Sequence, residues 1–302
     1  MENNSIKDFD IKTLTSFKIG GKIGEVFFPE NIEQFSKIME QNKNIKVFGN
    51  LSNTLISSYG YNEKIILTTK MNSIKIEGTK VIADCGVKGP KLAQEVAQKG
   101  LSGLEFMIGF PGSIGGEVYM NASANSQAIS DCLIYATCFD PKEQCVKKYT
   151  KDELGFAYRT SRCQKENLIV LQVEFELKQK TVDEIKSKME ENLSFRKNHQ
   201  PSLALPNCGS VFKNPQGDSA GRLLDSIGAK NMYVGGVKVW ENHANFIVNT
   251  NNGSSTDVLE LMYKMYTEVK NRYNIELEPE IIFLGSNNDK ENELCKILYK
   301  TK

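Results

Sequence analysis

Histidine is nearly absent: His199 and His243 are the only two in 302 residues. So few imidazoles argue against a histidine-based metal site, and no metal is expected. The seven cysteines (Cys85, Cys132, Cys138, Cys145, Cys163, Cys208 and Cys295) are odd in number and contain no C-x-x-C pair. They read as buried free thiols of a reducing cytoplasm, not as disulfides or a zinc cluster. Neither sign of charge dominates, since 38 Lys and Arg stand against 37 Asp and Glu. No nucleic-acid partner is expected, which leaves room for a local anion pocket. No apolar run reaches bilayer length, and the polar, acidic start MENNSIKDFD is unlike a signal peptide. The phosphate loop G-x-x-x-x-G-K-[ST] is missing, no G-x-G-x-x-G stands between a strand and a helix, and the serine elbow G-x-S-x-G does not occur.

Glycine, by contrast, is concentrated. Gly100 to Asn125 reads GLSGLEFMIGFPGSIGGEVYMNASAN, and no charge occurs from Met107 to Gly116. A flexible linker would be polar. This stretch is apolar, so it is expected to be buried and shaped, with Gly109, Pro111, Gly112, Ser113, Gly115 and Gly116 at its heart. Glycine lets backbone approach a ligand closely, and successive N–H groups in such turns hold anions. A phosphorylated cofactor with an apolar ring is one reading, and a tight turn in a β-rich core is the other.

The chain is long enough for two or three domains. Gly24 to Phe28 is expected as a strand, Pro29 and Asn31 open a helix, and Ile45 to Phe48 is a second strand. That strand runs into Gly49, Asn50, Leu51, Ser52, Asn53 and Thr54, a polar turn at a strand's carboxyl end. Ligands commonly sit there, and an ordinary surface turn is the alternative. Short strands follow at 65–69, 73–78 and 80–86, then a helix from Lys88 closed by Gly100. Strands are expected at 134–139, 146–149 and 168–177, and a long helix over 180–198. Pro206 to Pro215 reads PNCGSVFKNP, a bent strand that presents Ser210 at a turn, with Lys213 and Asn214 placed to address phosphate. Ala220 to Ile227 is helical, and strands flank His243. Ser254 and Asp257 form a capping box for a helix whose apolar face is core. Ile275 to Leu284 is expected as the last strand, with Glu276, Glu278 and Glu280 on one face. The tail after Gly285 is polar.

Set in order, these stretches resemble the UDP-N-acetylenolpyruvoylglucosamine reductases, in their shorter subtype. The resemblance rests on Thr15 to Gly21, Gly49 to Asn53, Gly103 to Phe106, Pro111 to Gly116, Met120 to Ala122, Tyr158-Arg159, Cys208 to Pro215, Ala220 to Leu223, His243 to Asn249 and Leu277 to Glu280. The Gly-rich loops alone resemble the wider vanillyl-alcohol-oxidase/PCMH-type FAD fold. The implied architecture is α+β, with two FAD-binding subdomains at 1–64 and 65–178 and a C-terminal α/β substrate domain at 179–285. The tail 286–302 is expected to return to the first. Two positions depart from the family: Asn50-Leu51 replaces two glycines, and Ile282 stands where a basic residue is common.

The resemblance implies an NADPH-dependent enzyme of peptidoglycan precursor synthesis, cytoplasmic and monomeric, without membrane insertion. It reduces UDP-N-acetylglucosamine enolpyruvate to UDP-N-acetylmuramate through FAD. The FAD is expected to be non-covalent, because no histidine precedes His199 and nothing marks Cys85 or Cys132 for attachment. The catalytic positions map onto Arg159, Ser210 and Glu280. Arg159 and Glu280 would address the enolpyruvyl carboxylate, and Ser210 would deliver a proton. Gly49 to Thr54, the second loop and Asn121 would hold FAD, and Tyr158, Lys213, Asn214 and His243 would hold substrate. The alternatives are a flavin oxidase or dehydrogenase for another alcohol or sugar, and a catalytically silent sugar-nucleotide or flavin-binding protein.

Overall fold

The computed structural model describes residues 4–202, 204–285 and 287–300. Met1 to Asn3 and, in the tail, Ser286, Thr301 and Lys302 lie outside the described residues. The chain opens with strands β1 (Ser5–Asp10) and β2 (Lys22–Phe27). Asn31 then caps α1 (Ile32–Gln41), its side chain accepting from the Gln34 N–H at 2.9 Å, and α1 buries Phe35, Ile38 and Met39 at helical spacing. Next come β3 (Lys46–Phe48), β4 (Thr54–Ile56), β5 (Tyr61–Leu67), β6 (Ile74–Glu77) and β7 (Lys80–Asp84). Helix α2 (Gly89–Gln98) has Pro90 in its first turn, where the missing N–H costs nothing, and is followed by Gly100 at φ +69°.

The Gly-rich stretch is half helical. Glu105–Gly109 is a buried 3-10 turn, and Ser113 precedes the short helix α3 (Ile114–Tyr119). Then follow β8 (Leu133–Asp140), β9 (Cys145–Thr150), α4 (Arg162–Glu166), β10 (Ile169–Glu176) and α5 (Val182–His199). The C-terminal part holds β11 (Asn207–Ser210), α6 (Ala220–Ser226), β12 (Tyr233–Val234), β13 (Val237–Trp240) and β14 (His243–Asn249). It ends with α7 (Ser255–Tyr273), β15 (Ile282–Leu284) and α8 (Asp289–Leu298). The capping box of Ser254 and Asp257 is formed at α7.

The chain divides into two compact units. The first holds the residues up to Ile6, Val26–Asn50 and Lys64–Arg196. Its centre is a five-stranded antiparallel sheet in the order β9-β8-β10-β7-β6. Strand β3 pairs in parallel with the end of β5, Val47 opposite Ile66. One apolar cluster joins the sheet to α2, the 3-10 turn and α3 through Leu92, Val96, Phe106, Ile114, Val118 and Phe175. A second joins α1 to the sheet, where Phe35 meets Phe139 edge to face at 5.7 Å.

The second unit holds Lys7–Glu25, Leu51–Glu63 and Lys197–Lys302. Its sheet runs β11-β14-β13-β12, antiparallel throughout, and packs with α6 and α7 over Leu223, Leu224, Val239, Ile247, Val258 and Met262. Strand β15 pairs in parallel with β4, Phe283 opposite Leu55.

One expectation about the C-terminal residues is corrected. Ile275 to Leu284 is not one strand. Residues 278–280 pair briefly with 211–213, and only Ile282–Leu284 forms a ladder, with a different partner. Pro279 has no N–H to donate, so a continuous ladder breaks there. The polar tail forms α8, which packs on α7. It buries Leu298 and Glu291, whose carboxylate accepts from Ser57 Oγ at 2.6 Å, Thr256 Oγ1 at 3.0 Å and Ser255 Oγ.

Candidate functional site

In the first unit the carboxyl end of β3 meets the Gly-rich loop. A Cβ on Gly49 would collide with Ser113 Oγ, so the glycine leaves that hydroxyl its space. The Asn50 side chain donates to the Pro111 carbonyl at 2.7 Å and ties the two loops together. Behind them, Ile114 N donates to Val87 O and Gly115 N to Cys85 O, at 2.9 and 2.8 Å, which hangs the loop on the end of β7. A Cβ on Gly115 would stand 2.8 Å from Cys85 Cβ, so this glycine is required by packing. Gly116, by contrast, has open space where a Cβ would be.

Ser113 is 2 % exposed, and its hydroxyl has no partner among the described residues. An orphaned buried hydroxyl costs free energy unless a ligand satisfies it. A glycine-cleared cradle with an unused hydroxyl fits the phosphorylated cofactor expected from the sequence. Gly49, Gly112 and Ser113 are the residues that would hold it.

Downstream of α3, the same loop carries the arginine turn. Asn121, at φ +44°, donates through Nδ2 to Ala157 O at 3.0 Å. Ser161 Oγ and Gln164 Nε2 both donate to Tyr119 O, at 2.8 and 3.0 Å. Ala157 and Thr160 exchange backbone hydrogen bonds across Tyr158 and Arg159, and Gln164 also donates to the Arg159 carbonyl. Arg159 sits at φ +52°, a strained conformation for a residue with a side chain. It is half-buried, with its guanidinium 5.7 Å from the ring of the exposed Tyr158. The residues expected to hold cofactor and the turn that carries Arg159 are thus bolted to one short helix.

In the second unit Ser210 ends β11. Gly209 has φ +79°, and the register with β14 shifts between Asn207 and Ser210, which gives the bend expected from sequence. Glu280 is drawn to this bend. Its N–H donates to Val211 O at 2.8 Å, and Lys213 N donates to Glu278 O at 2.8 Å. Asn53 grips the same segment from the other side. Its Nδ2 donates to Glu280 O at 3.0 Å, and its own carbonyl accepts from Ile282 N at 2.9 Å. Ile282 therefore serves as the first rung of β15. Ser210 and Glu280, 70 residues apart in sequence, are brought together by main-chain bonds.

Lys213 forms an ion pair with Glu278, and Asn214 Oδ1 accepts from Ala220 N at 3.0 Å, at the start of α6. His243 stacks edge-on against Phe246 at 4.9 Å, and its Nδ1 accepts from Asn245 N at 3.2 Å, which places its proton on Nε2. Burial first, then the nearby Lys230 charge, hold its pKa below the ordinary value, so it presents a neutral donor.

In the first loop, Leu51 is the residue with positive φ, at +52°, and it is 4 % exposed. Ser16 Oγ reaches the Ser52 and Leu51 carbonyls at 3.3 and 3.5 Å, and Thr54 is buried in β4. Three contributors escaped the sequence reading. Ser16 braces the first loop. Asn245, 3 % exposed, clamps Phe212 by Oδ1 on its N–H at 3.0 Å and Nδ2 on its carbonyl at 2.8 Å. Its signal was a lone amide inside the apolar run Ala244 to Val248. The third, Glu117, ends the uncharged stretch of the loop and is buried in α3.

Comparison with known proteins agrees with this geometry. Residues 200–284 match a family model described as UDP-N-acetylenolpyruvoylglucosamine reductase, C-terminal domain, and residues 24–148 match an FAD binding domain. The chain is 38 % identical over 285 residues to the UDP-N-acetylenolpyruvoylglucosamine reductase of Caldicellulosiruptor bescii, covering 93 % of this chain and 90 % of that one. It is 36 % identical to the Enterococcus faecalis protein of the same name, covering 92 % and 93 %. The crystal structure of the Thermus caldophilus reductase superposes with a TM-score of 0.80 at 33 % identity, over 94 % of this chain and 100 % of that one.

Proposed function

The chain belongs to the UDP-N-acetylenolpyruvoylglucosamine reductase family, and from that premise we propose how its own residues divide the work. The reaction is the NADPH-dependent, FAD-mediated reduction of UDP-N-acetylglucosamine enolpyruvate, on a vanillyl-alcohol-oxidase-like FAD fold. FAD held by the two loops would supply the hydride chemistry that links NADPH to the enol-ether carbon. Gly49 to Thr54 and Gly109 to Gly116 hold FAD without a covalent link, and Asn121 holds both the cofactor side of α3 and the arginine turn. Residues 1–64 and 65–178 are assigned to the cofactor by role, and 179–285 to the substrate. A monomeric, cytoplasmic protein suits the reading. No helix among the described residues is long and apolar enough to cross a membrane.

Arg159 meets the enolpyruvyl carboxylate with a planar, permanently charged fork, where negative charge grows as hydride arrives. Glu280 addresses the same carboxylate, with which it shares a proton. Ser210 gives its proton to the neighbouring carbon. Lys213, Asn214, Tyr158 and the Nε2–H of His243 bind the rest of the sugar nucleotide. The observation that supports the reading is the short pairing of 211–213 with 278–280, which fixes the backbone of Glu280 to Val211, the residue after Ser210. The test is Ser210→Ala in stopped flow. Flavin reduction by NADPH is expected within a few-fold of wild type, while reoxidation by the enolpyruvyl substrate slows roughly 10²–10⁴-fold. Equal slowing of both half-reactions would remove Ser210 from the proton transfer.

A further inference from the structure

Three residues on α3 and its ends stand four apart: Ser113, Glu117 and Asn121. Ser113 stands at the N-cap in extended conformation, Glu117 lies within the helix, and Asn121 follows the C-cap at φ +44°. Ser113 Oγ, both Glu117 carboxyl oxygens and Asn121 Oδ1 are all buried, and none has a hydrogen-bond partner among the described residues. Ser113 and Asn121 are already assigned to FAD, whereas Glu117 has no assigned role.

Its carboxyl lies in a slot cleared by two glycines. A Cβ on Gly89 would stand 2.6 Å from Glu117 Oε1, and one on Gly112 3.2 Å from the same oxygen. Gly112 belongs to the loop assigned to the cofactor, so the carboxyl sits directly against that loop. Burying a carboxyl without a partner is among the more costly things a core can do. The fold has made room for this one in two separate segments. A helix residue serving only to fill space would be apolar, like its neighbours Ile114 and Val118 in the same cluster.

We propose that Glu117 is a cofactor-positioning side chain, whose carboxyl hydrogen-bonds an oxygen of bound FAD between the contacts of Ser113 and Asn121. The inference rests on the reading that those two residues face FAD. FAD offers both kinds of oxygen that a carboxyl recognises, the hydroxyls of its sugar-like chain and its diphosphate. A neutral carboxyl can donate to either, while an ionised one would repel the diphosphate.

Burial alone pushes the Glu117 pKa up to about 8, so the acid is neutral at physiological pH. Charged residues do occur on the elements packed against α3. They are Lys88, Lys91 and Glu95 at or on α2, Lys80 and Asp84 on β7, Glu174 and Glu176 on β10, Asp131 in the turn before β8, and Arg159, Arg162, Lys165 and Glu166 in the arginine turn and α4. None of them contributes to the shift.

The experiment measures FAD release from dilute holoenzyme by flavin fluorescence, between pH 6.5 and 9.5, for wild type, Glu117→Gln and Glu117→Ala. The wild-type dissociation constant is expected to climb by up to roughly tenfold per pH unit once the pH passes about 8, as the acid loses its donor. Glu117→Gln keeps a donor of similar shape that does not ionise, so its curve stays flat where wild type climbs. Glu117→Ala weakens FAD at least about fivefold at pH 7, the worth of one buried hydrogen bond. Parallel curves for wild type and Glu117→Gln overturn the proposal, as does Glu117→Ala binding FAD as tightly as wild type. A wild-type protein that holds no FAD at any pH would instead sink the cofactor reading on which the proposal rests.

Discussion

The two units treat buried polarity in opposite ways. In the first, the oxygens of Ser113, Glu117 and Asn121 are buried without a protein partner. In the second, no buried side-chain nitrogen or oxygen among the described residues is left in that state. Asn245 uses both ends of its amide on Phe212, Asn53 links Glu280 to β4, and Glu291 collects three hydroxyls. A site for a resident cofactor can leave polar atoms waiting, because the ligand is nearly always there to satisfy them. A site whose small substrates come and go must hold its shape between visits, so its polar groups are satisfied internally. Preorganisation of that kind keeps the cost of reordering out of each turnover.

Substitutions at three residues test this contrast, beginning with the largest effect. Arg159→Ala should cost ~2–5 kcal/mol of transition-state stabilisation, read from kcat/KM for the enolpyruvyl substrate. Arg159→Lys should restore little, because a point charge cannot reproduce the fork. A change within about 0.5 kcal/mol would mean that the strained turn at 157–160 presents an ordinary surface arginine.

Glu117→Gln should stabilise the flavin-free protein in a pH-dependent way. The wild-type carboxyl titrates at about 8 in the fold against 4.5 when unfolded, so the folded state is the one that keeps its proton. Wild-type stability is therefore greatest below the ordinary carboxyl range. It falls by about 1.4 kcal/mol per pH unit as the pH rises toward the folded pKa, then levels off. Urea unfolding at pH 5.5 and 7.5 should show the advantage of Glu117→Gln growing by roughly 2–3 kcal/mol between the two. An advantage independent of pH would mean that the carboxyl is already satisfied or already ionised.

Asn245→Ala should cost ~1–3 kcal/mol of stability by orphaning the N–H and carbonyl of Phe212. Because Phe212 is part of the pairing that fixes the Glu280 backbone next to the Ser210 bend, reoxidation should slow while reduction by NADPH does not. Thermal melts together with the two half-reactions check both parts. A stability loss with untouched reoxidation would make Asn245 a core clamp with no bearing on the site.

Local chemistry made much of this protein legible in advance. Helical periodicity marked α1, α2 and α7, alternation marked β8 to β10, and the capping box at Ser254 announced its own helix. The bend at Gly209-Ser210 could be read because glycine followed by a small hydroxyl residue has few other uses inside a strand. Other features depended on partners far away in the chain. Glu280 resembled the middle of a long strand because Glu276, Glu278 and Glu280 alternate, yet its backbone is shared between residue 211 on one side and Asn53 on the other. Alternation reports an extended chain and not which neighbour it pairs with. Helix α8 was missed because the stretch after Gly285 is so polar, and its anchor is Glu291 accepting from hydroxyls more than 30 residues away.

The order of motifs along the chain was enough to determine the family, and with it the reaction, because each motif specifies a local backbone shape that does not depend on the rest. Which atoms are spent and which are left waiting was settled by the tertiary structure alone. The amide of Asn50 is spent on Pro111, while the carboxyl of Glu117 is left without a partner among the described residues. Hydrogen-bond satisfaction is a property of a whole environment, and no stretch of sequence carries its own environment with it.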